Sequence, residues 1–290
     1  MKRILAICCF LLCLCGCQQK TNTTYVAATT LPVYEFTTAL CEGTGIQVAR
    51  LITENVSCLH DYTLQVSQMR AMEGAQLTVI SGAGLEDFLD DVLAASSKIV
   101  DASAGISIIH SDHEHHDDHE HDHAHHNDPH YWLSPANAII MANNICAALK
   151  ESFPQYTERF SDNCQALEQK LLALQTYGEN TLKNLSCRDL ITFHDGFSYF
   201  AASFDLTILK AMEEDSGSEA SAGELIELIE LVKENELPAI FTEENGSDAA
   251  ATIVSRETGV PVFQLNMAMA GDSYFDAMYH NINTIKEAME

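Results

Sequence analysis

From residue 25 to residue 103 short β-rich runs alternate with helical ones, and neither kind occurs twice in succession. The runs "YVAATT" (25–30), "IQVARLI" (46–52), "LTVIS" (77–81) and "KIVDAS" (98–103) read as strands, while 32–40, 63–75 and 85–95 carry helical spacing. Strict alternation demands a crossover between each strand and the next, which gives a parallel sheet with helices on its faces. The pattern restarts at "DLITFH" (189–194), with strands at 206–211, 238–243 and 260–265 and helices near 197–203, 221–236, 247–258 and 272–289. Between the two series lie a helical run at 134–153 and a stretch from Gln155 to Leu185 that holds one glycine and no proline. A single helix of about 45 Å fits that stretch at 1.5 Å per residue, long enough to outlast one domain. The expected architecture is α/β: two lobes (24–153 and 187–290), each a four-stranded parallel sheet flanked by helices, joined by a linking helix over 154–186.

The N-terminus does not belong to that pattern. Lys2 and Arg3 precede an apolar run from Ile4 to Leu14, the layout of a secretory signal and too short to span a bilayer comfortably. "LCGC" (14–17) resembles a bacterial lipobox, so residues 1–16 are expected to be removed and Cys17 to carry lipid, with 17–23 as a polar tether. More than one acyl chain gives stable anchoring where one is marginal. The expected location is extracytoplasmic, on the bacterial cell membrane. Acidic residues outnumber basic ones by 42 to 15, a formal charge of -27 that repels phosphate backbones and attracts cations, so nucleic acid is not an expected partner. After Cys17 the cysteines are Cys41, Cys58, Cys146, Cys164 and Cys187, an odd number without C-x-x-C spacing, which argues against a zinc-thiolate site. Cys41 and Cys58 flank one strand and are the pair expected to bridge if any does; buried free thiols are the alternative.

Ten of the 13 histidines fall between His110 and Trp132. His110, His113, His115, His116, His119, His121, His123, His125 and His126 alternate with Asp and Glu. A span from 104 to 127 of that composition is expected to be disordered, either an accessory loop that collects metal or a solvated spacer. The histidines that matter more are those at strand ends, because ligands of open parallel sheets gather beyond the carboxyl ends of strands. His60 follows the strand at 46–52, His194 ends the strand at 189–194, and His130 precedes the helix after Ser134-Pro135, whereas His280 falls mid-helix. Any lone histidine is most often an ordinary hydrogen-bonded residue. Three at such loop positions in an exported acidic chain point to a metal, and three imidazoles with a further oxygen suit tetrahedral zinc.

The segments "LHDYTLQVSQM", "DPHYWLSP", "FHDGFSYF", "GLEDFL", "SAGELIELIELVKENELPAIFTEEN" and "GDSYFDAMYHNINTI" resemble, over nearly the whole mature chain, the metal-binding solute-binding proteins of ABC importers, mostly zinc or manganese lipoproteins. The resemblance implies two α/β lobes on a rigid linking helix with the metal between them. It makes His60, His130 and His194 the metal ligands and an ABC permease membrane subunit the partner of an expected monomer. Many members take a fourth ligand from an aspartate after the last strand. This chain has Gln264-Leu265-Asn266-Met267 there, which leaves water, Asn266 or Glu243 for that position. Asp195 and Asp128 are candidates to orient the imidazoles, Asp128 being read rather as a turn residue. Manganese-selective members place a carboxylate where His194 stands, so Zn2+ is expected and Mn2+ is the alternative. The competing functions are an extracellular zinc buffer or adhesin and a zinc hydrolase; the last finds no H-E-x-x-H or G-x-S-x-G motif, and no enzyme activity is expected.

Overall fold

The structure, a computed structural model, describes residues 25–54, 59, 62–89, 98–111, 126–212 and 220–290. The expected signal peptide, Cys17 with its expected lipid, His60, Cys58 and the tract histidines from His113 to His125 lie outside the described residues. No helix among the described residues is long and apolar enough to cross a membrane.

Strands β1 (Tyr25–Ala28), β2 (Gln47–Arg50), β3 (Leu77–Ile80) and β4 (Ile99–Asp101) form one parallel sheet in the order β2-β1-β3-β4, with α1 (Leu31–Leu40) and α2 (Val66–Gly74) among its crossovers. A two-residue antiparallel ribbon, β5 (His110–Ser111) with β6 (His126–Asn127), follows. Next come α3 (Pro135–Ser152) and the long α4 (Thr157–Thr181). The second sheet holds β7 (Asp189–Thr192), β8 (Thr207–Ala211), β9 (Ile240–Glu243) and β10 (Val262–Leu265), again parallel, in the order β10-β9-β7-β8. Its helices are α5 (Ser198–Ser203), α6 (Ala222–Glu234), α7 (Ala249–Thr258) and α8 (Tyr274–Met289). Read in chain order, both sheets take the same path: the second strand lies outside the first, and the third and fourth continue on its other side. That path puts a switch point, where ligands of open sheets sit, between β1 and β3 and again between β7 and β9.

Local chemistry explains where the elements stop. α3 starts because the Ser134 hydroxyl accepts from Asn137 N and Pro135 sits in the first turn. α6 starts at a capping box, Ser221 Oγ accepting from Glu224 N while Ser221 N donates to Glu224. β1 ends at Ala28 rather than residue 30 because both threonines turn to side-chain partners: Thr29 donates to Glu86 Oε1 at 2.6 Å and Thr30 meets Ser81 Oγ at 2.8 Å. The helix expected over 85–95 opens instead with a 3-10 turn at Asp87–Leu89, and residues 90–97 lie outside the described residues. Gly82, Ala83 and Gly84 all take left-handed φ values, +78°, +58° and +88°, and the turn they set runs on through Leu85 and Glu86, the residues that would have begun the helix.

The linking helix is shorter than the sequence allows. Pro154–Tyr156 form a 3-10 turn and α4 spans 25 residues, about 38 Å at 1.5 Å per residue. Its buried positions Phe160, Cys164, Leu167, Leu171, Leu174 and Gly178 repeat at intervals of four and three, one apolar stripe along the whole helix. Near its start Asn163 Nδ2 donates to Leu40 O and Glu42 O, at the end of α1; near its end Gln175 Nε2 donates to Ser203 O and Tyr177 to Asn283 Oδ1. The helix is thereby fixed to both sheet units. One continuous core joins them, with the Phe36 ring of the first unit edge-on to Tyr274 of the second at 5.0 Å. A second cluster, built on Ile191, Leu228, Val232 and Val254, fills the other face of the second sheet.

One expectation needs correction. The span 104–127 is not featureless at its ends: Ile106 is buried, Ile108 and Ile109 pack against the core, and the β5–β6 ribbon closes the base. The apolar "ISII" at 106–109 supplies the burial that the Asp, Glu and His residues lack. Cys41 is a buried thiol at the end of α1, and Cys58, its expected partner in a bridge, lies outside the described residues.

Candidate metal centre

His130 and His194 come from the two sheet units and meet. His130 stands in the segment between β6 and α3, beside the first switch point: the neighbouring Tyr131 hydroxyl donates to Ser81 O at the end of β3. His194 follows β7 and Glu243 ends β9, so the second switch point carries an imidazole and a carboxylate side by side. The two rings lie 5.3 Å apart, centroid to centroid, at 78°.

The His130 ring is oriented through Nδ1, and a carboxylate stands near the same atom of His194. Asp128 Oδ1 accepts from His130 Nδ1 and from the His130 backbone N–H, both at 2.9 Å, inside a site where Asp128 and His130 are almost wholly buried. Asp128 therefore acts as turn residue and ring partner together, more than the turn role expected of it. Glu243 Oε2 stands 3.5 Å from His194 Nδ1. The His130 ring is also edge-on to Trp132 at 5.4 Å, and Trp132 is pinned by its Nε1–H donating to Met267 O. Carboxylate partners on Nδ1 are the arrangement that aims Nε2 at a metal and raises its basicity.

Two glycines make this approach possible, and the sequence reading missed them. A Cβ on Gly196 would come within 2.5 Å of Met267 Cε and 2.8 Å of both His130 Nδ1 and His194 Cδ2. A Cβ on Gly246 would meet Glu243 Cγ at 2.5 Å and its Oε1 at 2.6 Å. The only signal for them was their place just after His194 and Glu243.

The other candidates divide. Asn266 is committed elsewhere: its Oδ1 accepts from Ala268 N, its Nδ2 donates to Glu244 Oε2, and its backbone pairs with the Asn281 amide. Asp195 is half-buried beside His194. His280 points from α8 to Gln264 O and Glu244, away from the pair, as its mid-helix position suggested. His110 is at the base of the tract with its Nδ1 on Asn127 Oδ1. That base is tied to the centre through Tyr199 of α5, which accepts from Ile109 N and donates to Asp128 O. Among the described residues no group of three His, Cys, Asp or Glu side chains is assembled as a metal site. His60, expected as the third ligand, lies outside them.

Several hydrogen bonds cross the seam around the centre. Leu31 N donates to Met269 O, Arg50 to Gly271 O and Met269 O, the Tyr274 hydroxyl to Trp132 O, and Tyr274 N to Glu35. Burial raises the pKa of Glu35 against those donors and pushes that of Tyr274 far above the ordinary tyrosine range.

The family model described as zinc-uptake complex component A, periplasmic (ZnuA), matches residues 26–288. A metal-binding protein of Treponema pallidum is 29% identical over 87% of this chain and 83% of its own length. The zinc-binding lipoprotein AdcA of Streptococcus pneumoniae is also 29% identical, over 98% of this chain, which spans only 60% of that relative. Among solved structures, ZnuA superposes with a TM-score of 0.80 at 27% identity, covering 92% of this chain and all of that one. Zn(II)-bound AdcA superposes at 0.76 with 28% identity, covering 92% of this chain and 58% of that one.

Proposed function

The chain belongs to the ZnuA family, the periplasmic component A of zinc-uptake complexes, and from that premise we propose that it captures zinc outside the cytoplasm and delivers it to an ABC permease. The observation that carries this reading is the pair of imidazoles brought together across the seam, His130 held at Nδ1 by Asp128 and His194 with the Glu243 carboxylate 3.5 Å from its Nδ1. His130 and His194 then present Nε2 to the ion, and His60 completes the three-histidine set by its motif. Asn266 has its amide engaged, so the fourth position falls to water, with Glu243 serving to hold His194. A set of imidazoles favours zinc over manganese, which prefers oxygen.

Solute-binding families bind and release without bond chemistry, and the same is proposed here. On this reading Cys17 carries the lipid, the chain works as a monomer, and the tract from His110 to His126 feeds the centre from a base that Tyr199 ties to it. The shared core and α4 limit the motion between 24–153 and 187–290, so release depends on the permease loosening the loops around the ion. Zinc accumulation in a strain lacking the chain, with its permease intact, tests the proposal. Wild type restores uptake and His194→Ala does not; full restoration by His194→Ala, or no uptake defect at all, overturns it in favour of buffering or adhesion.

A further inference from the structure

Cys146 of α3 and Cys164 of α4 face each other across the antiparallel hairpin that these helices form. Each thiol reaches over to the opposite helix: Cys146 Sγ donates to Phe160 O, one turn before Cys164, at 3.4 Å, and Cys164 Sγ to Asn143 Oδ1, about one turn before Cys146, at 3.3 Å. This reciprocal arrangement brings the two thiols to the same level of the hairpin, each against a group about one turn from the other cysteine. The other described thiols have no such neighbour. Cys41 is buried at the end of α1, its pKa pushed up to about 12 by that burial, and Cys187 only approaches Asp189 O.

We propose that Cys146 and Cys164 close a disulfide that staples α3 to the linking helix. The oxidant is a small or protein disulfide, as an exported chain meets outside the cytoplasm. The Cys146 thiolate attacks one sulfur of that disulfide and expels the first thiolate; Cys164, giving up its proton, attacks Cys146 Sγ and expels the second. Two protein thiols lose two protons and two electrons, and the oxidant becomes two thiols. As the helices approach, the Cys164 thiol and Lys150 lower the Cys146 pKa, which favours Cys146 over Cys164 as the attacking thiolate. Both residues are buried, so the bridge closes as the hairpin docks and not afterwards.

The test uses the mature wild-type chain and needs neither zinc nor export. The protein is refolded in an oxidised/reduced glutathione buffer, quenched in acid, denatured, alkylated and digested. Expected is a linked peptide pair containing Cys146 and Cys164, with Cys41 and Cys187 alkylated, and a Tm several degrees above that of the reduced protein. Alkylation of both Cys146 and Cys164, or linkage of either to Cys58, overturns the proposal; a mapped bridge with no change in Tm overturns its role as a staple.

Discussion

A methyl group is enough to separate the two imidazoles. Gly196 lies against Met267, His130 and His194 so closely that Gly196→Ala must displace at least one ring, and overpacking of this kind costs about 1–3 kcal/mol. The expected outcome is a fall of about 10–100-fold in zinc affinity, the size of effect seen when ligand orientation is lost. Chelator competition checks it, and wild-type affinity in the variant would show that the close approach is dispensable. His130 and His194 were legible because a strand end or a following helix cap marks them locally. Gly196 was not, since the need for it arises only from two segments 64 positions apart meeting in space. Glu86 is a second residue whose role emerges only from packing. It is fully buried, accepts from Thr29 Oγ1, Ser81 N and Gly82 N, and has its pKa raised above 4.5 because desolvation outweighs those donors. A raised folded pKa means that the folded state holds the proton better. The stability this group contributes is therefore full below the unfolded value near 4.5 and drains away as pH rises through the folded pKa. Denaturant melts of wild type and Glu86→Gln from pH 4 to 8 should show the stability difference shifting toward the variant as pH rises; a constant difference would mean that Glu86 does not titrate with folding.

Elements were legible in kind and order, and less so in length. Every strand named over 25–103 and 189–265 is present, but each was overrun at one end or both by a residue or two, as where Thr29 and Thr30 turn to side-chain partners. The long helix was legible from the absence of proline and its single glycine, yet the reading could not say why that glycine is there. Gly178 lies under the Phe204 ring, whose Cζ a Cβ would approach to 2.6 Å. Glycine to alanine in a helix is ordinarily stabilising, by about 1 kcal/mol. Here the ring is buried and the sign reverses: Gly178→Ala should destabilise by about 1–3 kcal/mol, read as a lower denaturation midpoint with zinc affinity unchanged. A stabilised variant would show that Phe204 can move aside.

At the scale of the molecule, the repeated strand path explains why the site stands where it does. Each sheet brings its own switch point to the seam, one beside His130 and the other carrying His194 with Glu243, and the shared core with α4 holds the two in register. The sequence showed the two sheets but not their common core, because Phe36 and Tyr274 are far apart in the chain and nothing local marks them as neighbours. Competitive zinc titration of the mature chain with residues 112–125 deleted, alone and with His130→Ala and His194→Ala together, separates centre from tract. One tight zinc per molecule in the deletion protein, weakened in the double variant by more than the roughly 100-fold that loss of an orienting partner can cost, is the predicted result. Tight binding that disappears with the tract, or that survives loss of both histidines, would contradict a centre built across the seam.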